Sequence, residues 1–279
     1  IQRGLLALES QGAASFFDRV SIAEGATLDV REVTIGGGPA SAIVTEVVEN
    51  NGLLILNFNS DELADIDSLA ISGTGDVRLD GEAAFVLDNG VQAFTGKALI
   101  ANGSLTVAGT GGLSGDVETS GDGTFVLGDG GTTGSFEGNL VNNGRFVFDR
   151  TDSYDFLGDF SGTGAFLKLG AGTLTFAGDY SYTGTTVIDG GTVKFTGQID
   201  PETEIDLQEG TFDISGTPQT IAQLSGSQNS SINVEDSQLT VTQATNNAFA
   251  GSITGDGALV KTGSGTLNLT GNSTYTGPT

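Results

Sequence analysis

Residues 162–197 read GTGAFLKLGAGTLTFAGDYSYTGTTVIDGGTVKFTG, and this stretch decides the fold. Small and β-forming residues fill the intervals between regularly placed glycines. A close relative of it, GDGALVKTGSGTLNLTGNSTYTGPT, occupies residues 255–279. The two superpose without a gap at a register of 93 residues. Gly162, Gly164, Lys168, Gly170, Gly172, Leu174, Gly178, Tyr182 and Gly184 match Gly255, Gly257, Lys261, Gly263, Gly265, Leu267, Gly271, Tyr275 and Gly277. Internal repetition at such intervals is the mark of a solenoid.

Working outward, a shorter unit recurs: glycine, a small or polar residue, then two apolar residues separated by one of any kind. It appears as GSLTV at Gly103, GTFVL at Gly123, GRFVF at Gly144 and GAFLK at Gly164, in steps of 20, 21 and 20 residues. A second series, GTLTF at Gly172, GTVKF at Gly191 and GTFDI at Gly210, steps by 19 and 19. Alternation at period 2 makes each unit a half-buried strand. Coils of about 20 residues with short strands and glycine corners predict an all-β right-handed parallel β-helix of about a dozen coils.

The inward columns are then Leu105, Val107, Phe125, Leu127, Phe146, Phe148, Leu174, Phe176, Val193, Phe195, Phe212, Ile214, Leu239, Val241, Leu267 and Leu269. Thr106, Val126, Val147, Thr175, Lys194, Asp213, Thr240 and Asn268 face outward, as does Asp29 opposite Leu28 and Val30. Earlier in the chain, GGGP at 36–39 breaks the pattern and ASAIVTEVV offers a strand. NSDELADID at 59–67 breaks alternation with acids and reads as a loop bulging from the coil, with a helical turn. A looser third copy of the long repeat covers 72–109, beside 161–197 and 254–279. No composition break marks a second domain, so residues 1–279 read as one β-helical segment.

With these repeats in place, the sequence resembles the passenger-associated transport repeat of Gram-negative autotransporters. That family has the run G-x-G-x-L-x-K-x-G-x-G-T-L-x-L-x-G-x-N-x-Y-T-G-x-T, which residues 162–186 and 255–279 follow. Asp179 stands where Asn is typical, whereas Asn272 keeps the pattern. The resemblance implies a passenger of type V secretion, displayed on the bacterial outer surface or secreted, with a C-terminal β-barrel outside these residues. It implies partners among host-cell or bacterial-surface proteins or glycans, or a second copy of itself, in adhesion, aggregation and virulence. The alternative it leaves is a carrier rod for a catalytic domain elsewhere in a longer chain. The start, IQRGLLALES, has no signal-peptide grammar and reads as a cut within such a chain.

Residue chemistry narrows the functions. The chain has no Cys or His, which removes Ser-His-Asp triads, Cys-His dyads and HExxH zinc sites. A formal charge of −25 opposes binding to nucleic acid and anionic lipid. No apolar run is long enough to insert in a membrane as a helix. Acid pairs such as Asp61 with Glu62, Asp65 with Asp67, Asp200 with Glu202 and Glu235 with Asp236 read as solvated loop charges rather than glycosidase pairs. A polysaccharide-cleaving β-helix would need clustered bases, and the ten present are scattered. Asp122, Asp129 and Asp256 sit in Gly-Asp-Gly turns, and turn chemistry accounts for them without calcium. No enzyme, metal or cofactor is expected. Lys168 and Lys261 read as corner lysines paired with surface carboxylates. Tyr180, Tyr182 and Tyr275 read as corner aromatics over the core, and outward Thr173, Thr175, Thr185, Thr186, Asn268 and Asn272 as hydrogen-bonding ladders.

Overall fold

A computed structural model describes residues 4–9, 19–31, 47–58, 63–65, 70–178 and 180–279. Strand pairs join residues about one coil apart, and they are parallel: Leu105, for example, lies between Phe85 and Phe125. Among the described residues no helix occurs, and the strands stack as a β-solenoid of about 11 turns. The predicted fold class is therefore the observed one. The chain divides into two compact units, Ile1–Arg145 and Phe146–Thr279.

In the first unit, interior side chains stack in register from coil to coil. One column runs Leu28, Leu54, Val77, Ala98, Val117, and a second runs Phe85, Leu105, Phe125. A third runs Val30, Leu56, Leu79, Ile100 and then Thr119, where it turns polar. Thr119 is fully buried and donates to Asn142 Oδ1 at 2.7 Å, while its hydroxyl accepts the Gly144 amide at 3.0 Å. Burial without such partners would cost about 1–3 kcal/mol per group.

The second unit is built on aromatic rings. Phe146 stacks on Phe166 at 5.1 Å, Phe160 on Phe176 at 5.3 Å, and Phe176 on Phe195 at 4.8 Å. Its longest apolar column runs Leu174, Val193, Phe212, Ile232, Ile253. Of the expected inward residues, Leu267 and Leu269 are half-buried, on a strand paired with Asn247–Phe249.

Three expectations about the strands outside the repeat corner need correction. Asp29 is buried rather than outward, 4% exposed, with Arg31 closing on its carboxylate at 2.9 Å. Val147, expected outside, is 9% exposed. In the acidic stretch, Leu63–Asp65 is a strand paired with Ala84–Val86, not loop or helical turn. The rest of that stretch, and the GGGP break with the first part of the strand after it, lie outside the described residues.

The glycines serve two purposes, and only one of them follows from turn chemistry. Some do sit at positive φ, as Gly162 does at 107° and Gly255 at 109°. Most repeat glycines instead lie where one coil presses on the backbone of another. A Cβ on Gly172 would fall 1.9 Å from Asp152 O, on Gly178 2.3 Å from Gly158 O, and on Gly184 1.8 Å from Gly164 O. The second copy repeats this: Gly265 meets Thr245 O at 2.0 Å, Gly271 Gly251 O at 1.9 Å and Gly277 Gly257 O at 2.2 Å. Each carbonyl belongs to the residue 20 positions earlier. The corner glycines are there to let backbone stack on backbone.

Candidate functional site

The repeat corner is where the distinctive residues of the two copies meet. Alternation along Ala165–Lys168 points Phe166 inward, Leu167 outward and Lys168 inward again. Lys168 is 0% exposed and occupies an interior column, opposite Ile188. Its ammonium lies 5.4 Å from the centroid of the Phe148 ring, a cation–π contact. From there it donates to Leu169 O at 2.7 Å, Gly170 O at 2.5 Å and Gly190 O at 3.2 Å. Three donors meet three carbonyls, which exhausts the hydrogen-bonding capacity of the ammonium.

The expected surface ion pair is therefore replaced by a cradle of backbone carbonyls. The reason is geometric: the side chain alternates inward at a corner, where the carbonyls of Leu169, Gly170 and Gly190 converge on its ammonium. Burial pushes the Lys168 pKa down to about 8, with the charge of Asp149 acting in the opposite direction. In the second copy, Lys261 reproduces the two carbonyls that follow it in sequence, but takes its third from an earlier coil rather than a later one. It donates to Thr262 O, to Gly263 O at 3.4 Å and to Gln243 O at 3.2 Å, but it is half-buried. In the looser copy the matching residue is Leu79, 2% exposed. The repeat lysine thus replaces a core leucine.

The remaining repeat positions frame this corner. Gly73, first glycine of the looser copy, has φ 107°, the value at Gly162. Gly170 and Gly263, which supply carbonyls to the two lysines, also have positive φ. A Cβ on Gly257 would sit 1.8 Å from Val234 O, and Gly164 provides the carbonyl on which Gly184 rests. Leu174 is fully buried. Tyr182 is 4% exposed, stacks on Phe160 at 4.4 Å and donates its hydroxyl to Thr185 O at 2.8 Å. Burial pushes its phenol pKa up. Its ring closes the core and offers no face to a sugar. Tyr180 is half-buried, edge-on to Phe176 and Phe195, and Tyr275 is half-buried beside Thr279.

Outward positions form polar ladders from coil to coil. Thr175, Lys194, Asp213, Asn233 and Thr254 follow one another across the second unit. Lys194 donates to Ser215 Oγ at 2.8 Å and lies 3.4 Å from Asp213, whose other oxygen accepts Asn233 Nδ2 at 3.1 Å. Burial works to raise the Asp213 pKa, yet Ser215 and Lys194 hold it below the usual range. Gln223 reaches Glu204 at 2.6 Å, and Thr211 reaches Ser231 at 2.7 Å. Thr186, expected outside, is 1% exposed and faces in, between Phe166 and Ile205.

Sequence reasoning passed over Arg150, 5% exposed. It grips Asp152 through Nε at 3.0 Å and through a terminal nitrogen at 2.7 Å, and lies 4.8 Å over the Tyr154 ring. The Arg150 hydrogen bond is the main reason that the Asp152 pKa is lowered. The RTD spacing was its only signal.

Asp129 and Asp200 follow turn chemistry, with Asp129 Oδ1 accepting the Gly131 amide at 3.2 Å and Asp200 Oδ1 the Glu202 amide at 3.0 Å. Asp256 does not: its Oδ1 accepts the amide of Asp236, 20 residues earlier, at 2.8 Å and so ties one coil to the next. Asp122 is exposed. Among the described residues, no three acidic side chains are placed to hold a metal ion. Asp61, Glu62 and Asp67 lie outside the described residues. A shallow open trough of about 290 Å³ in the first unit is floored by Gly25, Gly52 and Gly75 and edged by Thr27, Asn51 and Asp76.

Fold and corner together define a class: a repeat-built parallel β-solenoid with lysine-filled corners. The passenger-associated-transport-repeat family matches residues 166–195 and 259–279. Over 46 residues the chain is 52% identical to the "Adhesin BmaC autotransporter" of Brucella suis biovar 1 (strain 1330). That stretch is 16% of this chain and 1% of the adhesin, so the chain spans a small part of that relative's length. No solved structure matches the chain. The two repeat matches and the similarity to an autotransporter adhesin support an autotransporter passenger domain, which implies a cell-surface or secreted location.

Proposed function

We propose that residues 1–279 act as one non-catalytic segment of a β-helical stalk and as its interaction surface in bacterial adhesion or aggregation. The similarity to a protein named as an adhesin carries this reading. The fold suits such a role in two ways. Side chains that alternate outward in fixed register make a regularly spaced contact surface, and stacked apolar columns hold each coil on its neighbour. The partners are proteins or glycans of a host cell or of a neighbouring bacterium, or a second copy of the chain. A C-terminal β-barrel in the rest of the protein completes the export route. Displaying the segment on non-adherent cells tests it, with aggregation and host-cell binding scored against an unrelated β-helix. Binding no better than that control overturns the adhesive role.

A second reading rests on the family description of a transport repeat: the solenoid carries another domain through export. Here, deleting 161–279 from the full-length protein lowers surface display of whatever the chain carries, whereas the adhesive reading alone leaves display intact and lowers binding.

A further inference from the structure

The first unit contains four Asn-Gly dipeptides, at Asn51, Asn89, Asn102 and Asn143. We propose that Asn89–Gly90 is a site of spontaneous modification, at which the asparagine converts to aspartate and isoaspartate in the folded protein while the other three are held back. In this reaction the backbone nitrogen of Gly90 attacks Cγ of Asn89. The side-chain Nδ2 leaves as ammonia, taking up the proton that the Gly90 nitrogen gives up. Water then opens the five-membered succinimide at one carbonyl or the other. Opening at the backbone carbonyl leaves isoaspartate, with an extra methylene in the main chain. Either product adds one negative charge.

The attack needs the glycine nitrogen to swing against the asparagine side chain, so the backbone around the glycine must be able to turn. At three sites it is clamped. The Gly52 amide donates to Asn50 Oδ1 at 3.1 Å, and a Cβ on Gly52 would lie 2.3 Å from Ala26 O. The Gly144 amide donates to Thr119 Oγ1 at 3.0 Å, and Gly144 presses on Gly123 O at 2.3 Å. Asn102 gives its own Nδ2 to Asp80 O at 3.1 Å, and Gly103 presses on Ala83 O at 2.3 Å. Gly90 differs: a Cβ built on it meets no heavy atom within 4 Å, and its φ is 81°. Asp88, Asn89 and Gly90 are all exposed. The next coil holds Asp88 O and Gly90 O, through Thr110 N at 2.7 Å and Gly112 N at 3.1 Å. Between those two anchors the peptide is exposed, and Asn89 Oδ1 accepts a hydrogen bond from Thr110 Oγ1 at 3.5 Å, a contact that draws electron density from Cγ without holding the Gly90 nitrogen.

The clamped sites react only through local opening of the solenoid, and we expect conversion at Asn89 to exceed theirs roughly tenfold or more. The purified chain is held in mildly alkaline buffer at body temperature and its peptides are followed by mass spectrometry, with fragmentation that separates aspartate from isoaspartate. A parallel sample in denaturant gives the intrinsic rate of each dipeptide, which should be similar at all four. Asn89→Gln should remove the first acidic species seen by isoelectric focusing while leaving the β-sheet circular dichroism unchanged. Equal rates at all four sites in the folded chain overturn the proposal, as does an intact Asn89 when the denatured sample has fully converted.

Discussion

Lys168 shows how far one side chain departs from its surroundings. Its pKa is about 8 in the folded chain against 10.5 when solvated, so from pH 8 to 10.5 the unfolded chain binds more protons than the native one. Stability then rises with pH across that window, by an amount of order 3 kcal/mol at most. Denaturant midpoints measured from pH 7 to about 11 should show this rise for the native chain and not for Lys168→Met. Identical profiles would remove the buried charge from the account. Lys168→Ala removes the column's filling and the side-chain donor to three carbonyls. It should cost about 2–4 kcal/mol at neutral pH, read from the same midpoints. The alternation of Phe166, Leu167 and Lys168, and Leu79 at the matching position of the looser copy, carried the inward placement of Lys168, but its charge led to a surface reading that the structure overturns. Its partners were not, because backbone carbonyls leave no trace in a residue string.

At the scale of the coil, the period of the short units and the parity of their apolar residues were enough to name the columns. They specified which strand stacks on which: Leu174 on Val193 on Phe212 follows from steps of 19. The corners were harder. A glycine at positive φ and a glycine under a neighbouring carbonyl look alike in sequence, yet they respond differently to an added methyl group. At Gly172, without positive φ, alanine would meet Asp152 O at 1.9 Å, and main chain cannot yield cheaply. We expect Gly172→Ala to cost about 3 kcal/mol, the upper part of the overpacking range. Gly216 is the converse, with φ 77° and open space around it, so Gly216→Ala should cost only about 1 kcal/mol of backbone strain. Paired denaturation curves check the difference, and equal costs would mean that the coils slide apart to accept a methyl group. Asp29 marks a different limit of alternation, which assigns a face by parity alone and did not anticipate an acid buried beside Arg31.

For the whole molecule, the decisive quantity is charge. Of its ten bases, six are engaged with acids in ion pairs among the described residues, and Lys168 is buried. The 35 acids outnumber all ten bases and leave a net charge of −25. Two copies brought side by side therefore repel, however well their outward Thr, Ser and Asn ladders match. Repulsion between exposed charges reaches about 30 Å at 0.01 M salt and about 8 Å at 0.15 M. The osmotic second virial coefficient of the chain should thus be strongly positive at the lower salt and fall towards zero at the higher. If a second copy is among the partners, aggregation of cells displaying the segment should rise over the same salt interval. An acidic surface meeting a basic partner gives the opposite trend, since screening then weakens attraction. Aggregation that rises with salt points to like surfaces meeting, and binding that falls with salt points to a cationic ligand. A response flat in salt would mean that charge governs neither, and that uncharged outward columns such as Val86, Thr106 and Val126 carry the contact.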